Sequence, residues 1–99
     1  MKAVLFGKRI DKTNIGKLVL FVNKLKEYRD VEFCYHSSFY NLIKEFWQEL
    51  PQGGVFDSFA ELPADTDIFL SLGGDGTFLE SLTMVRDRQI PIAGINFGR

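Results

Sequence analysis

The sequence predicts an α/β fold: three layers, with helices on both faces of a parallel, Rossmann-like sheet. Two observations carry this. Short apolar runs of four or five residues alternate with longer segments whose apolar positions recur at helical spacing, and the turn signals fall between them. The last apolar runs are separated by a glycine-rich turn and one more helical segment, as in a right-handed βαβ unit. The 99 residues suit one small domain, with 45% hydrophobic and 25% charged residues.

Ala3 to Phe6 reads as a buried strand closed by Gly7. Ile15, Leu18, Val19, Val22, Leu25 and Tyr28 then make one face of an amphipathic helix, with Thr13 or Asn14 as its N-cap. Val31 to Tyr35 is the second strand. Ser37 or Ser38 is expected to cap a second helix whose apolar face is Phe39, Leu42, Ile43, Phe46, Trp47 and Leu50, ended by Pro51 and Gly53-Gly54. At this spacing the aromatics are core rather than a base-stacking surface. Val55 to Phe59 is expected as a short edge strand, and a polar loop, 63–67, leads to the strand Ile68 to Leu72. A helix from Phe78 to Val85 and a strand from Pro91 to Ile95 complete the pattern.

Between the strand ending at Leu72 and the helix at Phe78 lies Gly73-Gly74-Asp75-Gly76-Thr77. Three glycines in four positions remove the Cβ atoms that keep a ligand away from the backbone. They also permit positive φ angles that aim amides into one concavity. A helix N-terminus adds unpaired N–H groups and the positive end of its dipole, so phosphate is the natural guest. The plain alternative is a strand-to-helix turn with Thr77 as cap, but such a turn needs fewer glycines. The loop matches neither a Walker A sequence nor a G-x-G-x-x-G fingerprint. Asp75, a carboxylate among phosphate-binding amides, is a candidate proton acceptor or metal ligand.

These residues carry a resemblance. Gly73 to Thr77 resembles the GGDGT signature of the superfamily that holds the NAD kinases and the diacylglycerol and sphingosine kinases, with 6-phosphofructokinases as relatives. Ile90-Pro91-Ile92-Ala93-Gly94-Ile95-Asn96-Phe97-Gly98-Arg99 is similar to the strand and Asn-x-Gly-Arg loop of NAD kinases. Lipid kinases carry a Gly-Thr-Gly-Asn-Asp type of loop there instead. Phe97 departs from the smaller or aliphatic residue usual at its place.

The resemblance implies a strand order of 3-2-1-4-5 and an ATP- or polyphosphate-dependent NAD kinase, which phosphorylates the 2′-hydroxyl of the adenosine ribose of NAD. It implies that Gly73, Gly74, Gly76 and Thr77 cradle the donor phosphates, and that Asp75 takes the hydroxyl proton or helps hold Mg²⁺. Asn96 and Arg99 line the same cleft. Family members continue with Leu-Gly-Phe and a mostly β domain whose Asn-Glu or Asn-Asp pair holds the NAD ribose. This sequence has neither dipeptide, and residues 1–99 are expected to be the N-terminal nucleotide-binding domain, inactive by itself. The family also implies a homo-oligomer, a dimer or tetramer.

In such sheets ligands bind beside the reversal of strand order. Three loops are expected to meet there: Gly7-Lys8-Arg9, Gly73 to Thr77, and Asn96 to Arg99. Lys8 and Arg9 are candidates for the polyphosphate, although a solvated basic turn explains each as well. Glu80 is expected on the helix surface. A net charge of −1 argues against nucleic acid or an anionic membrane as partner. The lone Cys34, in an apolar stretch, reads as a buried inert thiol, and His36 as a loop residue. The short apolar N-terminal run suits neither a signal peptide nor a membrane span, so the cytoplasm is the expected location. The alternatives are a lipid kinase of the same superfamily and a non-catalytic nucleotide-binding or assembly module.

Overall fold

The computed structural model describes residues 1–28, 30–86 and 88–96. Five parallel strands form one sheet in the order β3-β2-β1-β4-β5, the expected 3-2-1-4-5. The strands are β1 (Lys2–Gly7), β2 (Glu32–His36), β3 (Gly53–Phe56), β4 (Ile68–Leu72) and β5 (Ile92–Ile95). Helices α1 (Ile15–Tyr28) and α2 (Ser37–Phe46) follow β1 and β2, and α3 (Asp75–Val85) follows β4. A short 3₁₀ turn, Phe59–Glu61, lies on the way from β3 to β4.

Alternation along the strands divides the core in two. Ala3 and Leu5 of β1, with Phe33, Tyr35, Leu70 and Leu72, meet Leu18 and Val22 of α1 and Phe39 and Ile43 of α2. Val4 and Phe6, with Cys34, Phe56 and Phe69, form the opposite layer with Val85 of α3 and Leu62. Each fully buried side chain of this size contributes about 1.5–3 kcal/mol relative to exposure. Cys34 is free and buried, as its apolar stretch suggested, and burial pushes its thiol pKa up.

Several local expectations differ from the structure. Asn14 stands at the N-cap position of α1, where its carbonyl accepts from the Leu18 N–H at 3.5 Å, and Asp11 caps the turn ahead of it. Its carboxylate accepts from the Asn14 N–H while its own N–H donates to Asn14 Oδ1, a reciprocal arrangement of the capping-box kind. Tyr28, counted on the apolar face of α1, stands exposed at its end.

The N-cap of α2 is His36, which makes no side-chain capping bond, and the Ser37 hydroxyl donates to Asp57. The helix ends at Phe46, so Trp47 is its C-cap and Leu50 is buried from the following turn. The Gly53-Gly54 pair opens β3 rather than simply ending α2. A Cβ at Gly53 would lie 2.0 Å from the Phe33 carbonyl oxygen, so only glycine lets the edge strand pair here.

His36 is not a loop residue: it ends β2 with its ring edge-on to Phe6 and Phe56, and its buried Nδ1 has no hydrogen-bond partner among the described residues. Helix α3 begins at Asp75 rather than Phe78, which puts the last three residues of the glycine motif into its first turn.

A cleft at the order reversal

Strand β1 pairs with β2 on one side and β4 on the other, so the direction of winding reverses between β1 and β4. Gly7 and Leu72 stand side by side at the carboxyl end of that pair. A Cβ at Gly7 would lie 2.8 Å from the Leu72 carbonyl oxygen and 2.6 Å from the Phe39 ring, so a bare backbone is required where the chain leaves β1. Beyond these ends opens a cleft of about 670 Å³.

One wall of the cleft is the glycine motif, through Gly73, Gly74, Gly76 and Thr77. Gly73 has φ +152°, a conformation that disfavours a side chain, and a Cβ there would come within 2.8 Å of Thr77 Oγ1. Gly74 is extended, with φ −96°, and is the N-cap of α3. Its carbonyl accepts from the Phe78 N–H at 3.1 Å, and no side chain caps the turn.

The first-turn N–H groups of Asp75, Gly76 and Thr77 therefore lack intrahelical acceptors and carry the positive end of the α3 dipole. Three glycines permit positive φ, yet among them only Gly73 has it. Gly74 and Gly76 matter for another reason: a Cβ on either meets nothing within 4 Å, which is the space beside the amides.

The second wall is the segment after β1. Lys8 and Arg9 line the cleft as expected, and so do Asp11, Thr13, Asn14 and Lys17, which were not among the expected site residues. Their signal was the polar run 11–14 between the switch strand and an amphipathic helix, read only as a source of helix caps. Lys8 Nζ lies 2.6 Å from the Glu80 carboxylate, so Glu80 pairs across to the cleft rather than along the helix surface. The Asp11 carboxylate accepts from the Thr13 hydroxyl at 2.6 Å and from the Thr13 N–H at 2.9 Å, which holds its pKa below the ordinary value.

Asn96, at the end of β5, closes the third side. The Gly73 N–H donates to the Ile95 carbonyl at 2.8 Å and ties this end to the glycine motif. Phe97, Gly98 and the candidate Arg99 lie outside the described residues. Asp75 is exposed on the first turn and is not part of the cleft wall, although its chain neighbours are.

Among the described residues no group of three histidine, cysteine or carboxylate side chains is placed to hold a metal ion. A lone carboxylate such as Asp75 at the edge of the cleft is chemically compatible with Mg²⁺, which is commonly held by one or two carboxylates together with substrate phosphates. No helix among the described residues is long and apolar enough to cross a membrane.

Residues 30–99 match the model of the ATP-NAD kinase N-terminal domain. This chain belongs to the NAD kinase family. It is 36% identical over 101 residues to the NAD kinase of Bacteroides fragilis, covering 100% of this chain and 33% of that protein. With the NAD kinase of Christiangramia forsetii it shares 36% identity over 85 residues, 86% of this chain and 28% of that one. The chain thus spans about a third of the length of these relatives.

The crystal structure of yeast NADH kinase, solved with NADH, superposes with a TM-score of 0.64 at 21% identity. It covers 99% of this chain and 30% of the yeast chain, and supports the fold assignment. Of the three sides of the cleft, the glycine motif and the β5 end lie within the residues matched by the family model.

Proposed function

We propose that this domain binds the phosphate chain of ATP, or of inorganic polyphosphate, in an NAD kinase that converts NAD to NADP. The observation that carries the reading is the open face of the glycine motif. Three first-turn N–H groups stand beside two glycines with nothing within 4 Å of their missing side chains, at the switch point of the sheet.

In this reading the amides of the first turn cradle the donor phosphates, and Lys8 and Arg9 add positive charge from the facing wall. Thr77 packs its hydroxyl under Gly73 and sets the loop's shape. Asn96 lines the same cleft, and the family resemblance gives Arg99 a part in phosphate binding. The 2′-hydroxyl oxygen of NAD attacks the terminal phosphorus in line, the bond to the bridging oxygen breaks, and ADP leaves with those electrons. The hydroxyl proton passes to the Asp75 carboxylate, whose exposed position on the first turn leaves it accessible to an acceptor. Mg²⁺ bound to the donor phosphates would neutralise their charge, with Asp75 as the protein carboxylate nearest at hand in sequence.

The same reading includes a homo-oligomeric enzyme working in the cytoplasm and residues that hold the NAD ribose in a further domain. It rests on family membership, since the relatives are about three times as long as this chain. Asp75→Asn in a chain of the relatives' full length is expected to lower kcat by ~10²-fold or more, the low end for a positioned acid-base group. Turnover of NAD to NADP within a few-fold of wild type would remove Asp75 from the role of base.

A further inference from the structure

Lys8–Glu80 is the shortest ion pair among the described residues, at 2.6 Å. Its two members play unequal parts. Lys8 lines the cleft and Glu80 does not; Glu80 sits on α3 one turn beyond Gly76 and reaches back to the ammonium from outside. The carboxylate that does line the cleft, Asp11, has its Oδ1 engaged by Thr13 and Asn14, and the ion pair Lys8 makes is with Glu80. Both members of the pair keep substantial solvent exposure, 55% for Lys8 and 39% for Glu80. Such pairs are held weakly and yield to a stronger counter-charge.

We infer that Glu80 is an exchangeable counter-ion: it positions Lys8 at the cleft while the cleft is free of ligand, and a polyphosphate displaces it to take over the ammonium. This rests on the reading of the cleft as a phosphate site. A chain of linked phosphates brings several negative charges against one carboxylate, and it is additionally held by the α3 amides. Part of its binding energy goes into breaking the Lys8–Glu80 pair. Glu80 therefore acts through Lys8 as a positioning residue that limits polyphosphate affinity, and removing its charge strengthens binding. A residue that merely supported the fold would weaken binding when changed.

Calorimetric titration of inorganic tripolyphosphate into the chain tests this with four proteins: wild type, Glu80→Gln, Lys8→Met and the double variant. Glu80→Ala serves as a second version of the charge removal in a residue type favoured in helices. Glu80→Gln is expected to tighten Kd about two- to fivefold, the range set by weak exposed ion pairs. Lys8→Met should weaken binding, and the Glu80 effect should vanish in the Lys8→Met background.

Equal or weaker binding by both Glu80 variants, where wild type binds, would overturn the counter-ion role and leave the phosphate site standing. The same gain with and without Lys8 would overturn it too, since Glu80 would then be a general repellent. Absence of tripolyphosphate binding by wild type would sink the phosphate reading itself, and the inference with it.

Discussion

Gly73 and Gly76 look alike in the sequence and do different work in the folded chain. At Gly73 the backbone has φ +152° and the space for a Cβ is taken by Thr77, so Gly73→Ala is expected to lower stability by more than ~1 kcal/mol. At Gly76 the backbone is helical and the space is open, so Gly76→Ala should leave the fold unchanged or up to ~1 kcal/mol more stable. Its cost falls on the ligand: ATP affinity is expected to drop about tenfold, the equivalent of ~1.4 kcal/mol. Urea melts and ATP titrations of both variants separate the two effects, and loss of stability with unchanged affinity at Gly76 would contradict the assignment. Tyr35 is another residue whose polar end matters. It is fully buried, and its hydroxyl donates to the Pro51 carbonyl at 2.6 Å. Burial pushes its pKa above the ordinary phenol value. Tyr35→Phe strands that carbonyl and should cost about 1 kcal/mol, or ~4–8 °C of Tm in a domain this size.

The elements were legible where one pattern decides them, and blurred where two compete. Helix α1 over Ile15–Tyr28 and strand β4 over Ile68–Leu72 follow directly from apolar spacing. The start of α3 does not, because glycines at 74 and 76 signal a turn while the burial of Thr77, Ser81 and Val85 along one face draws the helix back to Asp75. The role of Gly53 was hidden for a related reason: its need to pass the Phe33 carbonyl is a contact between distant residues, and no local signal records it. Asp11 shows the same limit in the turn ahead of α1, since Asn14 directly before the helix already supplies a capping residue by type. Its carboxylate, stabilised chiefly by the Thr13 hydroxyl, has a pKa below the ordinary 3.8. A lowered carboxylate pKa stabilises the fold above the ordinary value and ceases to do so as pH falls through the lowered one. The Tm difference between wild type and Asp11→Ala should therefore be full near about pH 6 and close as the pH drops below 3.8. A difference that stays constant down to about pH 2 would show that the cap does not depend on its charge.

For the molecule as a whole, the strand order was legible only through the family resemblance of the glycine motif and the β5 segment, and the site of convergence followed from that order by the switch-point rule. The extent of the second wall was not, since the depth to which residues 11–17 enter the cleft depends on how α1 lies on the sheet. The proposed acceptor site lies outside these 99 residues, so the chain by itself, incubated with Mg²⁺, ATP and NAD, should yield no detectable NADP. Phosphoryl transfer requires the acceptor oxygen about 3–3.5 Å from phosphorus, and nothing assigned here holds it there. NADP formed in proportion to chain concentration would show that these residues build the acceptor site.

The opposite rim of the sheet is bound together at Lys2. Its N–H donates to Asp67 at 2.7 Å and its carbonyl accepts from the Asp67 N–H at 2.9 Å, while its ammonium reaches Asp65 at 3.0 Å and Glu32 at 3.6 Å. The starts of β1 and β2 and the lead-in to β4 are thus fastened by one residue, at the end of the sheet remote from the cleft. Amide hydrogens should exchange slowly along that rim and faster in the loops at the other, where the backbone lies open at the cleft. The two rims can then diverge separately: loop sequences at the cleft are free to be exchanged for new specificities while the Lys2 end keeps the strands in register.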